Sequence, residues 1–120
     1  VVYLDFWVSW CGACRQSFPW LNKMQEKYKD RDLVVIGINL DRDVTIAEHF
    51  LTKIPAIFLL YSDPTGEFGR KYQLQGMPSS YIFDGNGQLS ETYVGFKKSN
   101  IAEYESNIVK LLNQLDDTKE

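Results

Sequence analysis

Histidine occurs once in this sequence, as His49, and cysteine twice, as Cys11 and Cys14. One histidine and one cysteine pair leave a tetrahedral zinc site within a single chain short of ligands. Two cysteines three positions apart close almost no loop, so a disulfide between them would stabilise the fold little. No uncharged apolar run approaches the roughly 20 residues that span a bilayer as a helix. Basic residues are not in excess: 13 Lys and Arg face 16 Asp and Glu, for a net charge of -3. That balance disfavours electrostatic binding of nucleic acid. Internal repeats and low-complexity segments are missing as well. So are an initiating Met, a basic leader and an apolar leader core. The chain opens instead on VVYLDFW, which reads as a buried strand. The natural protein is therefore expected to extend upstream, where a signal peptide or membrane anchor would lie.

What remains is core-forming material. Hydrophobic residues make up 44% of the 120 positions and aromatics 14%, enough for one domain over residues 1–120 and too little for two. Val1 to Val8 and Leu33 to Leu40 are β-branched runs suited to strands buried on both faces. Between them Phe18, Leu21, Met24, Gln25 and Tyr28 recur at helical spacing. Pro19 falls inside that helix and is expected to kink it. Thr45 and Glu48 suggest a capping box ahead of a short helix with Ile46, Ala47, Phe50 and Leu51 on its apolar face. Ala56 to Tyr61 is a third apolar run, and Glu67 to Leu74 a possible short helix. Ser79 to Phe83 and Ser90 to Val94 flank Asp84-Gly85-Asn86-Gly87, a hairpin signal. A final helix is expected from about Asn100 to Leu115, followed by a frayed polar tail over 116–120. Alternation of strands and helices, then a late hairpin, predicts an α/β fold: a central mixed β-sheet flanked by helices on both faces.

The chemistry concentrates in Trp10-Cys11-Gly12-Ala13-Cys14, between the first strand and the first helix. Free N–H groups and the positive end of the helix dipole stabilise a thiolate at Cys11. Cys14, one turn on, lies on the same face and can form or release a disulfide with it. Cys11 would attack and Cys14 resolve. Gly12 and Ala13 put little in the way of a protein substrate. Two inert core cysteines are the plainer alternative.

DFWVSWCGAC, the proline five residues after Cys14, GMPSSYIFDGNGQL and YVGF together resemble the thioredoxin superfamily over nearly the whole chain. RQSFPWLNKMQEKY and the extra helix near Thr45 to Thr52 resemble its TlpA-like branch. This resemblance implies a thioredoxin-like fold and a thiol-disulfide oxidoreductase. It implies an exposed nucleophile at Cys11, a buried resolving partner at Cys14, and a cis-proline at Pro78 that presents the Met77 backbone to substrate. Asp5 matches the buried acid of thioredoxins, where many TlpA-like proteins carry Asn; a solvated terminal residue is the alternative. The resemblance further implies an apolar collar of Trp10, Met77, Gly95 and Phe96 around the disulfide. Trp7 is expected in the core and Trp20 packed, with His49 on the surface. Asp41 and Asp43 flank a position where some relatives carry a second acid, and a turn with a helix cap accounts for them equally well.

The implied reaction needs no organic cofactor or metal. Its partners would be protein disulfides and an upstream dithiol donor, and the protein is expected to be a monomer. The TlpA-like branch implies a periplasmic or otherwise extracytoplasmic location, with the cytoplasm as the alternative. Other functions on the same fold are a disulfide oxidant or isomerase, a peroxidase-type redoxin, and a copper(I) or assembly chaperone. The peroxidase type uses T-x-x-C, which is not found here.

Overall fold

Successive side chains of the first strand point to opposite faces, and both faces are covered. In β1 (Val2–Trp7) Tyr3 and Trp7 join one core cluster while Leu4 and Phe6 join another. The computed structural model describes residues 1–118. Around β1 stands a five-stranded sheet in the order β3-β2-β1-β4-β5, with β2 at Val34–Asn39, β3 at Leu59–Ser62, β4 at Ser79–Phe83 and β5 at Leu89–Val94. β1, β2 and β3 run parallel; β4 runs antiparallel to β1, and β5 to β4.

The helices are α1 (Gly12–Tyr28), α2 (Val44–Lys53), α3 (Glu67–Arg70) and α4 (Ile101–Thr118). α1, α2 and α4 supply the larger cluster, through residues such as Phe18, Phe50 and Ile108. Trp7 sits between α1 and α2, its ring 4.7 Å from Phe18 and 4.9 Å from Phe50. On the opposite face Phe6 meets Phe68 of α3 and Tyr72 just beyond it. The mixed sheet with helices on both faces is the expected architecture.

α1 carries Pro19 inside a continuous helix, as expected, with the ring on the exposed side. Other details differ from expectation. Gln25 does lie toward the core, but there its amide pairs with the β2 end, accepting from Val35 N at 2.7 Å and donating to Leu33 O at 2.8 Å. α2 is capped by Asp43 rather than Thr45: the Asp43 carboxylate accepts from Thr45 N at 3.0 Å. Of its proposed apolar face, Ala47 and Phe50 are buried whereas Ile46 is exposed. The Ala56 to Tyr61 run yields only the four-residue β3, an edge strand with Leu59 and Tyr61 exposed. α3 stops at Arg70. Residues 116–118 continue α4, and Asp116 pairs with Arg31 at 2.7 Å; the rest of the expected tail lies outside the described residues.

Candidate active site

β1 ends at Trp7, and the chain then turns through Val8-Ser9-Trp10 into α1. Two attachments hold that turn. Leu40, just past β2, donates its N–H to Trp7 O at 3.0 Å. Asp41 accepts from Ser9 N and Ser9 Oγ, both at 3.0 Å, and from Asn39 Nδ2 at 2.8 Å. A buried carboxylate with three donors is the condition under which such burial is tolerated. Asp41 is therefore a clamp between the end of β2 and the loop that carries the cysteines.

Cys11 is the N-cap of α1, in extended backbone conformation, and its Sγ accepts from Cys14 N at 3.1 Å. The sulfur thus takes the place that a Ser, Thr or Asp oxygen holds in most helix caps. Both cysteines are free thiols. Cys14 is fully buried, and Cys11 is only 7% exposed, less open than the resemblance implies. Trp10 beside it is 77% exposed, and a Cβ added at Gly12 would meet nothing within 4 Å, so the approach to Cys11 passes over these two residues. Ala13 is half-buried against the core.

Beneath the cysteines lies Asp5, 1% exposed, which excludes the solvated reading. Burial pushes its carboxyl up to about 7, opposed by the hydroxyl of Ser80, which donates to Oδ1 at 2.9 Å. Oδ2 has no hydrogen-bond partner among the described residues. Burial also raises the Cys14 thiol strongly; its contact with Cys11 and the charge of Asp5 add to the rise, and the Val8 backbone opposes it. Tyr3, two residues along the same strand face, is raised by burial and then by Asp5.

The Met77–Pro78 peptide bond is cis, and Pro78 is fully buried. Met77 is half-buried and packs against both core clusters. Gly95 has φ of 83°, a region glycine enters without penalty, and donates its N–H to Pro78 O at 2.8 Å. That bond ties the end of β5 to the proline loop. Phe96 is a correction: its ring is turned inward, 5.7 Å from Trp20 and 5.5 Å from Tyr104, and offers little surface to a partner. Trp20 is packed and His49 exposed. Asp43 caps α2 and does not join the cluster around Asp5. Among the described residues, no three His, Cys, Asp or Glu side chains converge as a metal cluster.

Two functional neighbours escape the sequence reading. Ser80 faces Asp5 because β4 pairs antiparallel with β1, a pairing across 75 residues. Asp41 is noticed in the sequence only as a flanking acid; its hold on Ser9 depends on β2 lying beside β1.

The chain is similar to known proteins. A thiol-disulfide oxidoreductase ResA of Oceanobacillus iheyensis is 27% identical over 94 residues, 78% of this chain and 49% of the relative. The thioredoxin-like protein YneN of Bacillus subtilis is 30% identical over 97 residues, 78% of this chain and 56% of the relative. This chain thus spans about half the length of the curated relatives it matches. Among solved structures, a Chlorobium tepidum protein assigned as thiol:disulfide interchange protein DsbE superposes with a TM-score of 0.91 at 46% identity. The match covers 93% of this chain and 79% of that one. These likenesses bear out the thioredoxin-superfamily, TlpA-like resemblance and the fold that it implies. The Redoxin family pattern matches residues 1–112, and the chain belongs to the Redoxin family.

Proposed function

We propose that this protein is a thiol-disulfide oxidoreductase that reduces protein disulfides outside the cytoplasm. The observation that carries the reading is the Cys11 sulfur seated at the α1 N-terminus, accepting the N–H of a buried Cys14. In the forward reaction the Cys11 thiolate attacks one sulfur of a substrate disulfide. The substrate S–S bond breaks, one substrate sulfur leaves as thiolate, and a mixed disulfide forms at Cys11. Cys14 then yields its proton to Asp5 and attacks the Cys11 sulfur. The second substrate thiolate leaves, and the protein holds a Cys11–Cys14 disulfide. Two electrons have passed to the substrate, and an upstream dithiol donor returns them. The cysteine pair carries both electrons, so the proposed cycle uses no cofactor or metal.

The reducing direction is carried over from the TlpA-like resemblance. Burial and the Asp5 charge both oppose a thiolate at Cys14, so the resolving step needs a base to take its proton. Trp10, Gly12 and Ala13 are the proposed docking rim, with the Met77 backbone and Gly95 across from them. The extracytoplasmic location rests on the DsbE and ResA likenesses. No helix among the described residues is long and apolar enough to cross a membrane.

The test uses a disulfide-containing protein substrate and two variants. Cys14→Ser accumulates a mixed disulfide with the substrate, seen as a reducible adduct on a gel. Cys11→Ser forms none and is inactive. Adducts through Cys14 in the Cys11 variant, or turnover by it, overturn the assignment.

A further inference from the structure

The largest of the three cavities described, about 440 Å³, does not contain the cysteines. It lies at the end of the sheet where β2 and β3 finish, on the side of α3. Leu40, whose N–H is bonded to Trp7 O, forms one wall, and Pro64 and Leu74 make further apolar surface. Gln73 and Leu74 line it four and three residues before Met77, on the stretch that leads into the Pro78 loop. Gln73 takes the left-handed φ of 51°, which turns the chain out of α3 toward that loop.

Two guanidinium groups face this cavity, Arg42 and Arg70, and no acidic residue lines it. Neither arginine has a carboxylate within ion-pair distance among the described residues; Arg70 donates only to the Thr65 carbonyl, at 2.9 Å. The aspartates nearest along the chain are otherwise engaged. Asp41 is held by Ser9 and Asn39, Asp43 caps α2, and Asp63 accepts the Gly69 N–H at 2.8 Å. Two unpaired arginines over an apolar floor stand out in a chain of net charge -3. The volume is too large for a bare ion and suits a side chain or two of a docked polypeptide.

We propose that this cavity is a specificity subsite that takes carboxylate side chains flanking the disulfide of a protein substrate. The proposal rests on the reductase reading above and narrows its substrate class to disulfides set in acidic segments. Guanidinium and carboxylate match in planar, charge-assisted hydrogen bonds, and an aliphatic stem would lie on Leu40 and Leu74.

The experiment uses two synthetic peptides, each closed by one intramolecular disulfide and identical except for two flanking residues, Glu in one and Gln in the other. The pre-reduced protein is mixed with each, and the second-order rate of its oxidation is followed by tryptophan fluorescence. The wild type is expected to react about tenfold faster with the Glu peptide, a preference that falls in 0.5 M salt. In Arg42→Gln/Arg70→Gln the ratio falls to about one, and in Arg42→Glu/Arg70→Glu it inverts. Equal wild-type rates with both peptides overturn the subsite and leave the reductase standing. So does a preference that survives the double substitutions. Oxidation of the wild type by neither peptide overturns the reductase reading, and the subsite with it.

Discussion

Ser80 donates its hydroxyl to Oδ1 of Asp5 across the β1–β4 pair, at 2.9 Å, inside the protein. Among the described residues this is the one side-chain hydrogen bond to the carboxylate, and it favours the charged form that burial opposes. Ser80→Ala removes it. Asp5 then rises further above about 7, by roughly one pH unit for a bond to a charged group. The alkaline shift should appear in the pH profile of disulfide reduction, while Ser80→Thr, which keeps a hydroxyl, holds the profile near its original place. An inflection that does not move in the alanine variant separates Asp5 from the rate.

Asp5→Asn should change stability and activity in opposite directions. Burial holds the folded carboxyl at about 7 against 3.8 for a free aspartate, so between those values the folded state holds a proton that the unfolded state has lost. Its contribution is fully present below 3.8 and is lost as pH rises through about 7. The variant has no charge to bury. Urea unfolding at pH 8 should find it more stable than the wild type by a few kcal/mol, with the gap closing toward pH 4. Turnover at pH 8 should fall by about a hundredfold if Asp5 takes the Cys14 proton. A variant that is stabilised yet fully active shows that the acid is no base.

Asp41 and Asp43, two positions apart, should respond differently. Asp41→Ala strands three buried donors, on Ser9 and Asn39, and should cost about 2–4 kcal/mol in urea unfolding. It should also loosen the turn ahead of Cys11, read as faster alkylation of the reduced protein by iodoacetamide. Asp43→Ala removes only an exposed helix cap and should leave alkylation unchanged. Equal alkylation rates in the two variants would show that the clamp does not set access to the cysteine.

Some of this molecule is legible one segment at a time. β1 and β2 announce themselves as β-branched runs because both are interior strands with partners on each side. Cys11 and Cys14 stand out by their spacing at a break between strand and helix, whereas Asp5 and Pro78 are placed by the resemblance to the thioredoxin superfamily. The run Ala56 to Tyr61 reads as equally apolar, yet Leu59 and Tyr61 are exposed, because apolar content does not reveal that a strand will stand at an edge. Ser80, Asp41 and the pairing of Arg42 with Arg70 in one cavity depend on which strands and loops become neighbours. Phe96 looks like collar by position and becomes core because Trp20 and Tyr104 are there to receive it.

The reduction potential of the Cys11–Cys14 pair tests the central claim most directly. The protein would be equilibrated in dithiol and disulfide buffers of graded ratio, with tryptophan fluorescence reporting the oxidised fraction. The reductase reading predicts a reversible couple near or below about -270 mV, the thioredoxin range. A value of about -120 to -180 mV would contradict the reducing direction and mark an oxidant or isomerase. Failure to form any reversible disulfide would contradict the oxidoreductase itself.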